Sequence, residues 1–389
     1  MFGTPIDRRG TGCAKWDKMQ ELYGVCPSDG LAMWVADMDF RPPDVIQEVL
    51  QNKIDHGIYG YNGADGGYRE AICWWMRERH QWSIEPEWIF STHGLVNGTG
   101  MCVDTFTQAG DGIVLFTPVY HAFFKVISAS KRKIVECPLA LENGKYVFDF
   151  AHYDTLMTGN ERMLILCSPH NPGGRVWSEK ELHDVADFAK RHDLIIVSDE
   201  IHHDLIYPGH KHTIFSKVDP SVDERTIIMS ATTKTFNIAG SHTGNVIIKD
   251  DKLRHTFAER MMALGMSPNG FGTLMSEAAY SPAGAQWVDE LMRYLDGNRA
   301  IFDEAIHSIP GLKSMRLEGT YLSWVDFSDT GMSKAELLNR VQSTAKIATN
   351  HGETFGKGGA HRLRFNIATQ RNNVTEAASR LREAFADLQ

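Results

Sequence analysis

The chain is poor in every feature that would assign it to a membrane, a polyanion or an oxidising compartment. No stretch of its 389 residues approaches the ~20 uncharged apolar residues that a membrane-spanning helix needs. The opening segment, MFGTPIDRRGTGCAKWD, shows none of the apolar core of a secretory signal. Blocks of one charge sign are missing too: 40 Lys and Arg against 49 Asp and Glu leave a net charge of -9, spread along the chain. Sequence-independent binding to nucleic acid needs clustered cations that displace phosphate counterions, so neither nucleic acid nor an anionic membrane is expected as a partner. The 6 cysteines include no C-x-x-C pair, which suits neither a disulfide framework nor a thiolate zinc site. They are expected to be reduced and mostly buried, in a cytoplasmic protein. Repeats, low-complexity tracts and Pro/Gly/Ser-rich linkers are also lacking, so domains must be separated by pattern.

At ~150 residues per domain the length allows two or three, each large enough for a core. Short apolar, β-branched runs recur at Gly112 to Phe116, Arg162 to Cys167, Leu194 to Ser198, Thr226 to Ser230 and Asn245 to Ile248. Such runs read as strands buried on both faces, the habit of a mostly parallel sheet. Between two of them Ser178 and Glu181 make a capping box, and Leu182, Val185, Ala186 and Ala189 follow at helical spacing. Strand, helix and strand in succession predict an α/β fold: a three-layer sandwich with a mostly parallel central sheet, which binds ligands beyond the carboxyl ends of its strands. From Ser281 onward the pattern changes. Helices are expected through Trp287 to Ser308, Lys334 to Ala348 and Val374 to Leu388, with strands at Thr320 to Phe327 and Arg362 to Ala368. This is the alternation of a smaller α+β domain.

Three expected strands end in polar segments: SPHNPGGRVW, DEIHHD and ATTKTFNIAG. Together with MWVADMDF (Met33 to Phe40), GYN (Gly60 to Asn62), PVY (Pro118 to Tyr120), TYLSW (Thr320 to Trp324) and RFNIA (Arg364 to Ala368), they resemble, in order and over nearly the whole chain, the fold type I pyridoxal-phosphate enzymes. This is the aspartate aminotransferase superfamily (class I/II), and the match is to its cystathionine β-lyase-like carbon-sulfur lyase branch. The resemblance implies a large cofactor-binding domain over residues 45–281. A small discontinuous domain would combine an N-terminal arm, 1–44, with 282–389.

By the same resemblance Lys234 is the catalytic lysine that forms the Schiff base with pyridoxal 5'-phosphate, and Asp199 is the carboxylate facing its ring nitrogen, which must stay protonated to draw electrons from the substrate. Asn171 is implied to bond the ring's phenolic oxygen, with His202 near it, and Tyr120 to stack on the ring. The phosphate needs backbone N–H groups at a helix N-terminus, and Gly94, Leu95 and Val96 stand where the family puts them. Thr233 adds a hydroxyl, and Tyr61 is implied to reach the phosphate of the neighbouring subunit, hence a homodimer with composite sites. Two positions depart from the pattern of aminotransferases: His242 stands where an arginine often clamps the phosphate, and Ala231 where serine is frequent. Arg364 matches the arginine that grips the substrate carboxylate by a bidentate fork, with Arg362, two residues earlier, as the alternative; Ala36 lies beside the same carboxylate.

The implied activity is β-elimination from L-cystathionine or another cysteine S-conjugate, giving a thiol, pyruvate and ammonia. An aminotransferase exchanging its amino group with a 2-oxo acid is the alternative. A metal hydrolase built from His202, His203, His210 and His212 is not expected, because their spacing matches neither H-E-x-x-H nor a zinc finger; no metal is assigned. Nothing in the sequence argues for a protein-binding role in place of catalysis.

Overall fold

The computed structural model describes residues 2–63 and 65–388. A seven-stranded sheet is built from β1 (Ile89–Thr92), β2 (Gly112–Thr117), β3 (Lys133–Pro138), β4 (Glu161–Cys167), β5 (Ile195–Asp199), β6 (Thr226–Ser230) and β7 (Gly244–Ile247). Its order is β1-β7-β6-β5-β4-β2-β3. β2 through β6 pair in parallel with their neighbours, and β7 runs antiparallel to both β6 and β1. Burial explains the β-branched runs: every residue of β2, β6 and β7 is buried, as a strand covered on both faces requires.

Helices on both faces supply that cover. Three lie early in the chain: α1 (Asp44–His56), α2 (Gly66–His80) and α3 (Leu95–Phe106). α4 (Glu179–Arg191) has the expected capping box, Ser178 and Glu181 each satisfying the other's backbone, and buries Leu182, Val185, Ala186, Phe188 and Ala189. Sinking one such Leu or Val is worth about 1.5–3 kcal/mol. α5 (Asp251–Ala263) and α6 (Gly270–Ala279) follow β7.

The C-terminal part carries α7 (Pro282–His307), α8 (Arg371–Ala384) and an antiparallel sheet of β8 (Lys313–Ser314), β9 (Leu322–Asp326), β10 (Asn350–His351) and β11 (Arg362–Asn366), in the order β8-β9-β11-β10. The N-terminal segment is stitched to this part. Leu31–Ala32 pairs in parallel with Ile347–Ala348, the Asn366 N–H donates to Met33 O at 2.8 Å, and the Asp39 N–H donates to Ala368 O at 3.0 Å.

The helix expected over Lys334 to Ala348 is shorter. It is α-helical only at Lys334–Leu338, loosens to a wider turn at Asn339–Thr344, and ends before Lys346, whose φ of 55° is left-handed. Pairing of Ile347–Ala348 with the N-terminal segment overrides helical preference there. Among the described residues no helix is long and apolar enough to cross a membrane.

Candidate active site

The carboxyl ends of β4, β5 and β6 open on one side of the sheet and, with the N-terminus of α3, enclose a cavity of about 280 Å³. Lys234 sits in the single helical turn Thr232–Thr235 that follows β6, and Asp199 is the last residue of β5. Asn171, His202, Thr233 and Tyr120 line the same space, as do Gly94, Leu95 and Val96 at the start of α3, and Ala36 from the N-terminal segment. The sheet therefore gathers residues that are far apart in sequence.

Lys234 Nζ donates to Ala36 O at 2.5 Å. Burial pulls its pKa down to about 8, and Arg364 pushes the same way, against the pull of Asp37 and Asp199. Burial pushes Asp199 up to about 7, only partly offset by the Ile201 N–H and Lys234. The Ile201 N–H donates to Asp199 Oδ1 at 3.1 Å. A buried carboxylate so poorly compensated fits a cationic ring N–H brought by a ligand, which would return it to the ionised form. His202 is buried, its Nδ1 has no hydrogen-bond partner, and burial together with Lys234 and Arg364 drives its pKa well below the usual histidine range; the ring is a neutral imidazole.

Gly94 precedes α3 with φ 86°, a conformation that glycine adopts without strain. The first-turn N–H groups of α3 have no intrahelical partners, so together with the helix dipole they form an anion cradle at Leu95 and Val96. His242 also lines the cavity, while Ala231 is buried and does not line it.

Arg364 on β11 is buried. Its Nη1 donates to Asn171 Oδ1 at 2.9 Å and its Nη2 to Trp34 O at 2.9 Å and to Asn350 Oδ1, while Nε is left without a partner. Arg362 is tied elsewhere, to Asp326 Oδ2 at 2.5 Å and Gly358 O at 2.7 Å. The geometry thus separates the two arginines: one touches the cavity's Asn171, the other ends in a local ion pair.

Of the expected site residues, Arg364 meets the cavity only through Asn171, and Tyr61 does not reach it. It is fully exposed, in a segment that also exposes Ile58 and Tyr59, and the Tyr59 ring lies 5.7 Å from Phe271 on α6.

Sequence reasoning missed Tyr321, whose hydroxyl donates at 3.0 Å to the same Ala36 carbonyl that Lys234 uses, and Asn350, which braces Arg364. Tyr321 lay inside the TYLSW motif, so a signal existed; Asn350 had none. Also unforeseen were the clamps on the 33–39 segment. Arg8 and the fully buried Lys15 pair with Asp39 at 2.8 and 2.9 Å, and Asn366 donates to the carbonyls of Val35 and Asp37.

Residues 35–381 match the family model for aminotransferases of class I and II, and the chain belongs to that family. Among curated relatives it is 38% identical over 388 residues to the cystathionine beta-lyase PatB of Bacillus subtilis, covering 99% of this chain and 100% of PatB. Among solved structures it superposes with a TM-score of 0.95 at 37% identity on cystalysin from Treponema denticola, which contains pyridoxal 5'-phosphate, covering 100% of this chain and 99% of cystalysin. A PLP-bound putative aminotransferase from Clostridium difficile gives 0.94 at 36% identity, with 99% of each chain covered.

Proposed function

We propose that the protein is a pyridoxal-phosphate-dependent carbon-sulfur lyase that cleaves L-cystathionine or another cysteine S-conjugate to a thiol, pyruvate and ammonia. The observation that carries the reading is the convergence of Lys234, Asp199 and Asn171 on one cavity, with Arg364 bonded to Asn171, in a chain that matches PatB end to end. When bound, the cofactor supplies an electron sink for the carbanion formed at the substrate's Cα.

The chain's own residues supply the rest. Lys234 would hold the cofactor through Nζ, and its amine, when free, would remove the substrate's Cα proton. A pKa near 8 suits that role, because neutral amine is available at physiological pH. Asp199 keeps the ring nitrogen protonated. Asn171 and His202 would bond the phenolic oxygen, Tyr120 would cover the ring, and the α3 N-terminus with Thr233 would hold the phosphate. Arg364 binds the substrate carboxylate through the donors it now offers to Asn171 and Asn350, which fixes the Cα–H bond within reach of Lys234. The Cβ–S bond then breaks, the thiolate leaves with a proton, and water is consumed as pyruvate and ammonia form.

Residues 45–281 make the larger unit, and 1–44 with 282–389 the smaller. The enzyme is a cytoplasmic homodimer. Its apolar exposed segment at Ile54, Ile58 and Tyr59, with Phe271 against Tyr59, supports a partner surface, across which Tyr61 reaches the neighbour's phosphate. All six cysteines are free, in keeping with a reducing compartment. Aminotransfer uses the same cofactor residues and differs in needing a 2-oxo acid. Incubation with cystathionine and no oxo acid is expected to release homocysteine and pyruvate in equal amounts; release of neither overturns the lyase reading.

A further inference from the structure

Behind the cofactor cavity, a second group of side chains occupies the other side of the same turns. His203 and Asp204 follow His202 after β5, and His80 ends α2. All three line an open cleft of about 520 Å³. Each is buried and offers a ligand atom, and these atoms lie within 4.8 Å of one another, the only such trio among the described residues. His80 Nε2 is 3.0 Å from Asp204 Oδ1, and His203 Nε2 is 3.1 Å from Oδ2.

The hydrogen positions decide what the trio can do. His203 Nδ1 lies 2.6 Å from Glu200 O. A carbonyl only accepts, so Nδ1 carries the hydrogen; Nε2, facing Asp204, then carries either a second proton, which burial opposes and Asp204 favours by raising the ring's pKa, or a metal ion on its lone pair. Nε2 is fully buried and makes no hydrogen bond, since Asp204 Oδ2 is close but out of line. A lone pair held 3.1 Å from a carboxylate oxygen is repulsive unless a proton or a metal cation lies between them. The carboxylate is itself oriented: Trp75 Nε1 donates to Oδ1 at 3.0 Å and Thr235 Oγ1 to Oδ2 at 2.9 Å. An imidazole anchored by a backbone carbonyl, beside a carboxylate fixed by its own donors, is the outer shell that metal ligands have.

We propose that His80, His203 and Asp204 bind a divalent transition metal. Zinc is the ion best suited to two imidazoles and one carboxylate, with water from the cleft completing a tetrahedral set. The ion's role is structural. It ties α2 to the turn after β5 and, through Thr235, to the turn that carries Lys234, bracing the cofactor residues from behind. Pattern reading from spacing had no access to this trio, because His80 comes from a distant helix.

The test uses the tag-free full-length protein, stripped with a chelator and dialysed against zinc. About one zinc per chain should remain bound after gel filtration by plasma mass spectrometry, and cobalt substitution should give the visible bands of a tetrahedral site. His203→Gln and His80→Gln should each weaken zinc binding at least ~100-fold with near-ultraviolet circular dichroism unchanged. His255→Gln, at an exposed histidine, should bind zinc as the wild type does. Zinc retained equally by all variants overturns the proposal. So does a zinc-free protein in which nitrogen NMR finds both His203 nitrogens protonated, the result expected if a proton alone separates the ring from Asp204.

Discussion

Lys234 shows how burial prepares a residue for chemistry. At pH 7 an amine with a pKa near 8 is neutral in roughly one molecule in ten, against roughly one in three thousand for an unperturbed lysine. Only the neutral amine attacks a carbonyl. The rate at which the apoprotein takes up pyridoxal phosphate should therefore rise about tenfold per pH unit up to about 8 and then level off. Stopped-flow measurement of the visible band checks it, and Lys234→Ala should show no band at any pH. Arg364 is expected to act on binding. Removing one charge-assisted hydrogen bond costs about 1.5–3 kcal/mol, so Arg364→Lys should raise KM for cystathionine about 10- to 100-fold with a smaller change in kcat. Arg362→Lys, at a residue held by Asp326, should leave KM near the wild-type value. The proposed roles were assignable from sequence because Lys234, Asp199 and Arg364 stand in motifs whose residue types that chemistry restricts. The Ala36 carbonyl was not legible as the acceptor for Lys234, since any residue carries a carbonyl. Asn350 was equally silent, because its value lies in a cross-strand contact with Arg364 that sequence distance hides.

At the scale of elements, pattern was readable wherever burial was complete. The runs at β2, β4, β5, β6 and β7 were found to within a residue or so, because strands covered on both faces must be apolar throughout. The two strands that escaped notice, β1 and β3, are the sheet's edges. β3 is only partly buried and mixes lysine and glutamate with its apolar residues, so no clean period marks it. The antiparallel sense of β7 was equally invisible, since a buried strand reads the same in either direction. Caps were legible and carry measurable energy: Ser178→Ala removes the hydroxyl that accepts the Glu181 N–H at the start of α4 while the backbone N–H of residue 178 still donates to Glu181, and should lower unfolding free energy by about 1 kcal/mol, read from urea denaturation. At the other cap, Gly94 has open space where a Cβ would stand, so alanine there is opposed by its positive φ and not by a clash. Such a conformation costs a non-glycine residue about 1–3 kcal/mol. Gly94→Ala should thus displace the α3 N–H groups and weaken cofactor affinity, measured by equilibrium dialysis, while stability in the absence of cofactor falls by no more than that strain.

The whole molecule poses the question that a single chain leaves open, namely what Tyr61 is for. It stands fully exposed in a segment with Ile58 and Tyr59, and the Tyr59 ring lies against the exposed Phe271. Exposed apolar residues of this kind support the proposed homodimer, and a two-fold interface repeats each contact on both subunits. If Tyr61 serves the partner's phosphate, then two defective chains can repair each other. A Lys234→Ala chain still offers an intact Tyr61, and a Tyr61→Ala chain still has its lysine. In the mixed dimer one site combines both defects and is dead, while the other combines both intact residues and works. Random reassortment puts about half the dimers in the mixed form with one good site each, so activity should recover to about a quarter of wild type. Unfolding and refolding the two variants together, followed by a pyruvate assay, measures it. Activity no greater than the average of the two parents would mean that Tyr61 acts within its own chain or not at all, and the composite site would be lost with it.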